Sequence, residues 1–341
     1  MRGAHTMRSK CFLLLITMAV GIFFAHSASA VTYSIQAIGY GPGRAIASNG
    51  FAAGDAFFWQ SGVTQNLGTL GGGTTMTYGV NSKGEVIGWS KTANGSVHAF
   101  LWHSGVMEDL GTLEGQETMA YGINDNSQIV GYSVVSGGMA MHPFLYQNGS
   151  MQDLGTILGH SASAHGINST GDIVGWFYSG GSKAFLLHDG AATDLHGLPS
   201  GNGDYLAYDI NDNGEIVGTA MNQFGRTRPV LWENGIIQDL GMQDIFGYAN
   251  AINNKGQIVG YTYTDATQPH AFLWANGGTQ YLPVLPGTTA SYAYDINDNG
   301  WIVGTCDGQA VLWTSVAEPA SLSVLFTGLL CVLPRLQRRR R

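Results

Sequence analysis

The sequence predicts an all-β fold: a seven-bladed β-propeller of four-stranded blades, closed by an N-terminal strand that completes the last blade. Three motifs recurring through the 341 residues carry that expectation. The first, A-x-G-I-N-x-x-G-x-I-V-G, is anchored by Asn81, Asn124, Asn168, Asn211, Asn253 and Asn297 at spacings of 43, 44, 43, 42 and 44 residues, and a degenerate copy over residues 45–54 makes seven. The second, H-A-F-L-W, ends at Trp59, Trp102, Tyr146, Leu187, Trp232, Trp274 and Trp313, again seven times. The third, D-L-G-T-L-G, begins at Asp109, Asp153, Asp194 and Asp239, with variants at Asn66 and Tyr281, and so occurs only six times. Residues 33–39 have the pattern of the missing copy, so the first and last segments together make one repeat.

Within one repeat, residues 120–159, the elements follow in order. AYGI and QIVGY are short apolar strands separated by N-D-N-S, or N-D-N-G in other repeats, whose Asn and Gly are expected to accept the positive φ that tight hairpin turns need. HPFLY and MQDLG are two more strands around Asn148-Gly149, the strongest short-range hairpin signal. Adjacent apolar pairs, Ile129 with Val130 and Phe144 with Leu145, make these strands apolar on both faces, which suits sheets packed between other sheets. Four-stranded sheets at a period of about 40–45 residues are the sequence signature of a propeller. An open β-solenoid would instead need atypical capping repeats at both ends.

Three segments divide the chain. Residues 1–30 read as a signal peptide: Arg2, Arg8 and Lys10 precede an apolar run over residues 11–24, and Ala28-Ser29-Ala30 offers a cleavage site. That run of 14 residues would span only ~21 Å as a helix, against the ~30 Å of a bilayer core. Residues 31–314 form the repeat body, with seven Lys and Arg against 22 Asp and Glu. Nucleic acid is excluded as a partner by that balance, because phosphate neutralisation needs clustered basic side chains. Of the three cysteines only Cys306 lies in the body, so no internal disulfide framework is expected. Charged residues are 11% of the chain, against about 25% in an ordinary domain, and 50 glycines mark a turn-rich β protein. Residues 315–341 carry Val316, Ala317, Glu318 and Pro319, an apolar stretch over residues 322–333, and the arginines Arg338, Arg339, Arg340 and Arg341.

Two resemblances follow. "HAFLW" at residues 98–102 and 270–274, "INDNG" at 210–214 and 296–300, and "DLGTL" at 109–113 resemble the HAF repeats of bacterial extracellular proteins, over residues 31–313. Individual blades depart from the pattern, with Lys183 and Leu187 in place of His and Trp in one, and Arg228-Pro229-Val230 in place of His-Ala-Phe in another. The tail resembles the PEP-CTERM sorting signal of Gram-negative bacteria, keeping Glu318 and Pro319 but carrying Ala317 where the first proline is expected. Together these resemblances imply an exported cell-surface or extracellular protein that meets the membrane only through its tail. They also imply an exosortase-type protease as processing partner, and no established activity.

Candidate chemistry is sparse. Residues 209–214 and 295–300 match the opening of a calcium loop, D-x-N-x-N-G, through Asp209, Asn211 and Asn213 and through Asp295, Asn297 and Asn299. The twelfth position holds Ala220 and Cys306 rather than glutamate, and hairpin turns explain the same residues without a metal, so no cofactor is expected. His98, His142 and His270 recur at one strand position, where a structural hydrogen bond is favoured over a zinc ring. The recurring tryptophans point to packing between blades. Trp89, Trp176 and Trp301 stand apart as candidate ligand-binding residues. Asp109, Asp153, Asp194 and Asp239 recur in register, as structural residues do, and no G-x-S-x-G elbow occurs. The expectation is a non-catalytic module that binds extracellular polysaccharide or surface proteins. A secreted hydrolase or lyase acting on polysaccharide would instead need an essential acid out of register, with Glu117, Asp204 and Asp244 as candidates.

Overall fold

Turn chemistry folds each repeat into an antiparallel meander. In the third blade, strands Thr118–Ile123, Ile129–Val134, Met141–Gln147 and Ser150–Asp153 pair in sequence order. Asn148 and Gly149 take the positive φ values of 53° and 76° that a two-residue hairpin turn requires. The first hairpin meets the expectation at its glycines and departs from it at the asparagine. Its positive φ falls on Ser127 or on the equivalent glycines, such as Gly84 and Gly214, while Asn124 acts through its side chain. Asn124 Oδ1 accepts the backbone N–H groups of Asn126 and Gln128, both at 3.0 Å.

The computed structural model describes residues 31–316 except 136–139, 156–160, 200, 202, 243–245 and 265–266. Among them are 28 strands in seven four-stranded sheets, a seven-bladed β-propeller. The signal peptide over residues 1–30 and the sorting residues Ala317, Glu318 and Pro319 lie outside the described residues. Strand Tyr33–Tyr40 pairs with Gln309–Ser315 as the outermost strand of the seventh blade, in the register Tyr33 to Ser315 through Tyr40 to Gln309. The ring is therefore closed by hydrogen bonds between its two ends, and no open solenoid edge is left.

Apolar residues on both strand faces give one hydrophobic cluster per blade interface, seven in all among the described residues. Phe100 and Trp102 pack with Ala45 and Phe58 between the first two blades, and Val303 and Leu312 pack with Ile46 and Trp59 across the closure. The recurring tryptophans belong to this core, as expected. Trp232 and Trp313 are essentially buried, and their indole N–H groups donate to His196 O at 2.9 Å and Pro283 O at 2.7 Å.

Glycine in I-V-G has a steric cause. The two innermost strands of the third blade shift register between Ala120 and Gly122, which drives the backbone of the first strand against the second. A Cβ on Gly131 would lie 1.9 Å from Met119 O, and one on Gly218 would lie 1.9 Å from Leu206 O. Gly218→Ala is expected to lower stability by about 2–3 kcal/mol through this clash. Gly73→Ala, where a Cβ meets nothing within 4 Å, is expected to be near neutral. Thermal unfolding of the two variants checks the contrast.

The motif asparagine binds the blades together. Each Nδ2 donates to the backbone carbonyl of the equivalent residue one blade on: Asn81 to Asn124, Asn124 to Asn168, Asn168 to Asn211, Asn211 to Asn253, and Asn253 to Asn297, at 2.9–3.3 Å. Asn297 carries the series across the closure by donating to Ala47 O at 3.0 Å, and at the junction of the first and second blades, where Ala47 has no side-chain amide, Asn49 Nδ2 donates to Ser82 O instead. The motif asparagines are buried, so each amide lost would leave a carbonyl unpaired. Asn211→Asp keeps the shape and the turn but removes the donor to Asn253. It is expected to cost about 1–3 kcal/mol in urea unfolding, whereas loss of less than a few tenths would mean the ring is not stabilising.

Candidate functional site

The innermost strands enclose a central channel with a cavity of about 440 Å³, lined by all seven blades. Motif position decides each layer of its wall, with successive residues about 3.3 Å apart along the strand. The x of A-x-G-I-N supplies a collar of Arg44, Tyr78, Tyr121, His165, Tyr208, Asn250 and Tyr294. The next position is Ala45, Gly79, Gly122, Gly166 or Ala251 in five blades, but Asp209 in the fifth and Asp295 in the seventh. The asparagine ring follows, and then a rim that includes Ser82, Asp125, Asp212 and Asp298.

The collar is nearly continuous aromatic surface. Tyr78 lies 4.9 Å from Tyr121, and Tyr121 stacks on His165 at 4.5 Å with the rings 7° from parallel. His165 meets Tyr208 at 6.0 Å. On the other side the Arg44 guanidinium sits 5.0 Å from the centre of the Tyr294 ring and 6.0 Å from that of Tyr78, while its Nε contacts Asp55 at 3.4 Å. One end is extended by Tyr292, stacked on Tyr294, and by Tyr261 against Tyr248 and Tyr292.

Burial sets the protonation of the wall. It pushes the His165 imidazole down to about 4, so the ring is neutral near pH 7. Its Nε2 accepts the Trp176 indole N–H at 3.1 Å, and Ser163 Oγ lies 3.2 Å away. Burial also pushes the Asp209 carboxyl up to about 6 and the Asp295 carboxyl up to about 7, the latter helped by repulsion from Asp209. Backbone N–H donors oppose both shifts: Ile210 and Ile252 on Asp209, Ile296 and Ile46 on Asp295. The two aspartates thereby clasp the fifth blade to the sixth and the seventh to the first.

The calcium-like turns use their polar atoms inside the protein. Asn211 Oδ1 accepts from Asn213 and Glu215, Asn213 Nδ2 donates to Asn254 O, and Asn299 Nδ2 donates to Ser48 O. Asn297 Oδ1 likewise accepts from Asn299 and Trp301. Among the described residues no group of three or more His, Cys, Asp or Glu is placed to hold a metal. N-D-N-G is thus legible as stapling: the Asp accepts from the preceding blade, as Asp125 does from Ser82 N–H, and the second Asn reaches the following blade.

The histidines of H-A-F-L-W lie on third strands and pair with the aspartate of D-L-G on the fourth, His98 with Asp109 and His142 with Asp153, each at 2.9 Å. Arg228 makes the same link to Asp239 at 3.1 Å, and Tyr205 takes the role toward Asp194 at 3.0 Å. The two motifs are therefore one interaction. Trp89, Trp176 and Trp301 are not brought together, since they stand in the second, fourth and seventh blades. Trp89 and Trp176 do not break the repeat: they follow V-I-G and I-V-G, where other blades have Tyr132, Thr219, Tyr261 and Thr305. Trp301 packs over Gly50 at the closure. Only Trp176 reaches the channel wall, through His165. Glu117 accepts the Tyr132 hydroxyl at 2.6 Å, Asp204 accepts Ser182 N–H at 2.6 Å, and Asp244 lies outside the described residues. The collar itself escaped the sequence reading, although its signal was present as a variable position inside the motif, the x of A-x-G-I-N.

No family model matches the chain, and no curated protein matches it. Among solved structures it is similar to the virginiamycin B lyase of Staphylococcus aureus, at 14% identity and a TM-score of 0.52, covering 84% of this chain and 100% of that one. A streptogramin B lyase is similar at 12% identity and a TM-score of 0.50, covering 83% and 98%. A puromycin hydrolase is similar at 10% identity and a TM-score of 0.53, with 78% of this chain matching half of that one. At such identities the likeness is one of fold.

The buried aspartates have a linkage consequence. A carboxyl raised in the folded state favours folding while it is protonated, and that contribution is lost as pH rises through the raised values of about 6 and about 7. Stability is expected to fall from about pH 4, where the unfolded carboxyls ionise, to about pH 7, no more steeply than about 1.4 kcal/mol per pH step for each group. Asp295→Asn is expected to flatten that fall in thermal unfolding at a series of pH values. An unchanged slope would mean that Asp295 is ionised throughout.

Proposed function

We propose that the protein is an exported, non-catalytic binding module of the cell surface or extracellular matrix, taking polysaccharide or a surface protein at its central channel. The observation that carries this reading is the aromatic collar inside a cavity of about 440 Å³, a size within the range of small-molecule sites. Aromatic side chains lining a cavity offer apolar surface beside hydroxyl groups, the chemistry that sugars require. The carboxylates support a non-catalytic role: Asp109, Asp153, Asp194 and Asp239 are each held by a neighbouring side chain, Glu117 and Asp204 do not line the channel, and the two out-of-register acids that do, Asp209 and Asp295, each accept two backbone N–H groups. Export rests on the expected signal peptide and sorting tail, with an exosortase-type protease removing the membrane segment.

Incubating the protein with a panel of bacterial and plant polysaccharides, with and without calcium, while measuring released reducing ends, tests this. Saturable binding without release is the expected outcome. Release of reducing ends would overturn the non-catalytic reading in favour of a hydrolase, and unsaturated ends would indicate a lyase.

A further inference from the structure

Among the channel-lining residues Arg44 is the one Lys or Arg, standing where the other collar positions are mainly tyrosine. Its side chain is only 22% exposed, so its charge needs partners close by. Asp55 supplies a single contact, at 3.4 Å to Nε. Tyr294 and Tyr78, its neighbours on either side in the collar, supply ring faces 5.0 and 6.0 Å away. Nη1 and Nη2 bond no protein group among the described residues, and these two atoms carry four of the five guanidinium N–H donors. Arg228 shows how the same fold satisfies a structural arginine: it reaches Asp239 through Nε at 3.1 Å and again through Nη2 at 3.4 Å.

A planar fork held at its Nε end, with its terminal nitrogens left over, is the geometry that receives a carboxylate bidentately. Elsewhere in the collar the rings stack on one another, as Tyr121 does on His165, so the fork rather than a ring face is the specific contact. The charge of the wall suits a single negative group. Asp209 and Asp295 stand in the next layer, each with both oxygens turned to backbone N–H groups. Burial pushes them up to about 6 and about 7, so together they carry less than two full charges near pH 7. A doubly charged phosphate monoester would exceed the one cation and face those carboxylates with the excess. The acidic balance of the whole body acts at longer range and is screened beyond ~10 Å at 0.1 M salt. The cavity of about 440 Å³ leaves room beside the fork for a sugar residue, not merely for a small ion.

We infer that the channel binds an acidic polysaccharide through the carboxylate of a uronic acid residue, taken by Arg44 Nη1 and Nη2. Asp55 keeps the Nε end occupied, so the terminal pair is what the ligand meets. This rests on the binding-module reading and narrows it to one class of sugar and one contact.

The test titrates the full chain calorimetrically with oligomers of galacturonate, glucuronate and mannuronate, with their methyl esters, with neutral and sulfated oligosaccharides, and with an acidic peptide. Saturable binding of at least one uronate series is expected, with its methyl ester, which keeps the shape and loses the charge, weaker by about tenfold or more. Arg44→Gln is expected to bring acid and ester within about threefold of each other, a difference that general loosening of the channel would not erase. Arg44→Lys, which keeps the charge without the fork, is expected to fall between the two. Circular dichroism and melting of each variant separate lost binding from lost folding, and the lysine variant serves should the glutamine variant fail to fold. Equal binding of acid and ester, or uronate binding indifferent to both Arg44 variants, would overturn the inference by placing the sugar elsewhere. Binding of only neutral or only sulfated oligomers would overturn it while leaving a glycan-binding module. Binding of the acidic peptide and no sugar would overturn it in favour of a surface-protein ligand, and absence of all binding would overturn the channel reading with it.

Discussion

The propeller depends on one buried hydrogen bond repeated at six of its seven blade junctions, from an asparagine side chain to the backbone of the next blade. The same residue folds its own hairpin with the oxygen of the amide and reaches its neighbour with the nitrogen. Local turn and long-range assembly are thus coupled in a single side chain, so neither forms well without the other. Apolar clusters between blades supply the bulk driving force. They are not directional, and the amides fix the angle at which each blade meets the next.

Much of this architecture was legible in the sequence because the fold is periodic, and a period survives substitution at individual positions. The count of seven, the four strands of each blade and the closure by residues 33–39 could all be read from motif copies and from one absent copy. The reasons behind the motifs were less legible. Asparagine was read as a backbone conformer, whereas its amide chemistry is what the fold uses. His98 and Asp109 belong to different motifs in the chain and become one contact only when the third and fourth strands pair. Trp89 looked exceptional beside Tyr132, yet both occupy the same register position opposite a methionine.

The channel was the least legible part, because it is made from one residue of each repeat, and those residues are neighbours only when the circle is complete. A position that varies between Arg44, Tyr78, His165 and Asn250 looks like noise along the chain. Viewed around the axis it is a surface with a definite chemistry. Repetition supplies a rigid frame, and a variable position facing the axis supplies individuality.

The pairing of Tyr33–Tyr40 with Gln309–Ser315 has a temporal consequence. The first strand to be synthesised cannot find its partner until the last one exists, so it passes through the whole of chain elongation as an unprotected edge. Contacts that join the two ends of a chain have the highest loop-closure cost and form late. Six blades can accumulate in sequence, but the seventh is complete only once Gln309–Ser315 has been made. The fold therefore registers its own completeness: a chain truncated before Gln309 retains most of its blades and lacks the circle that holds them.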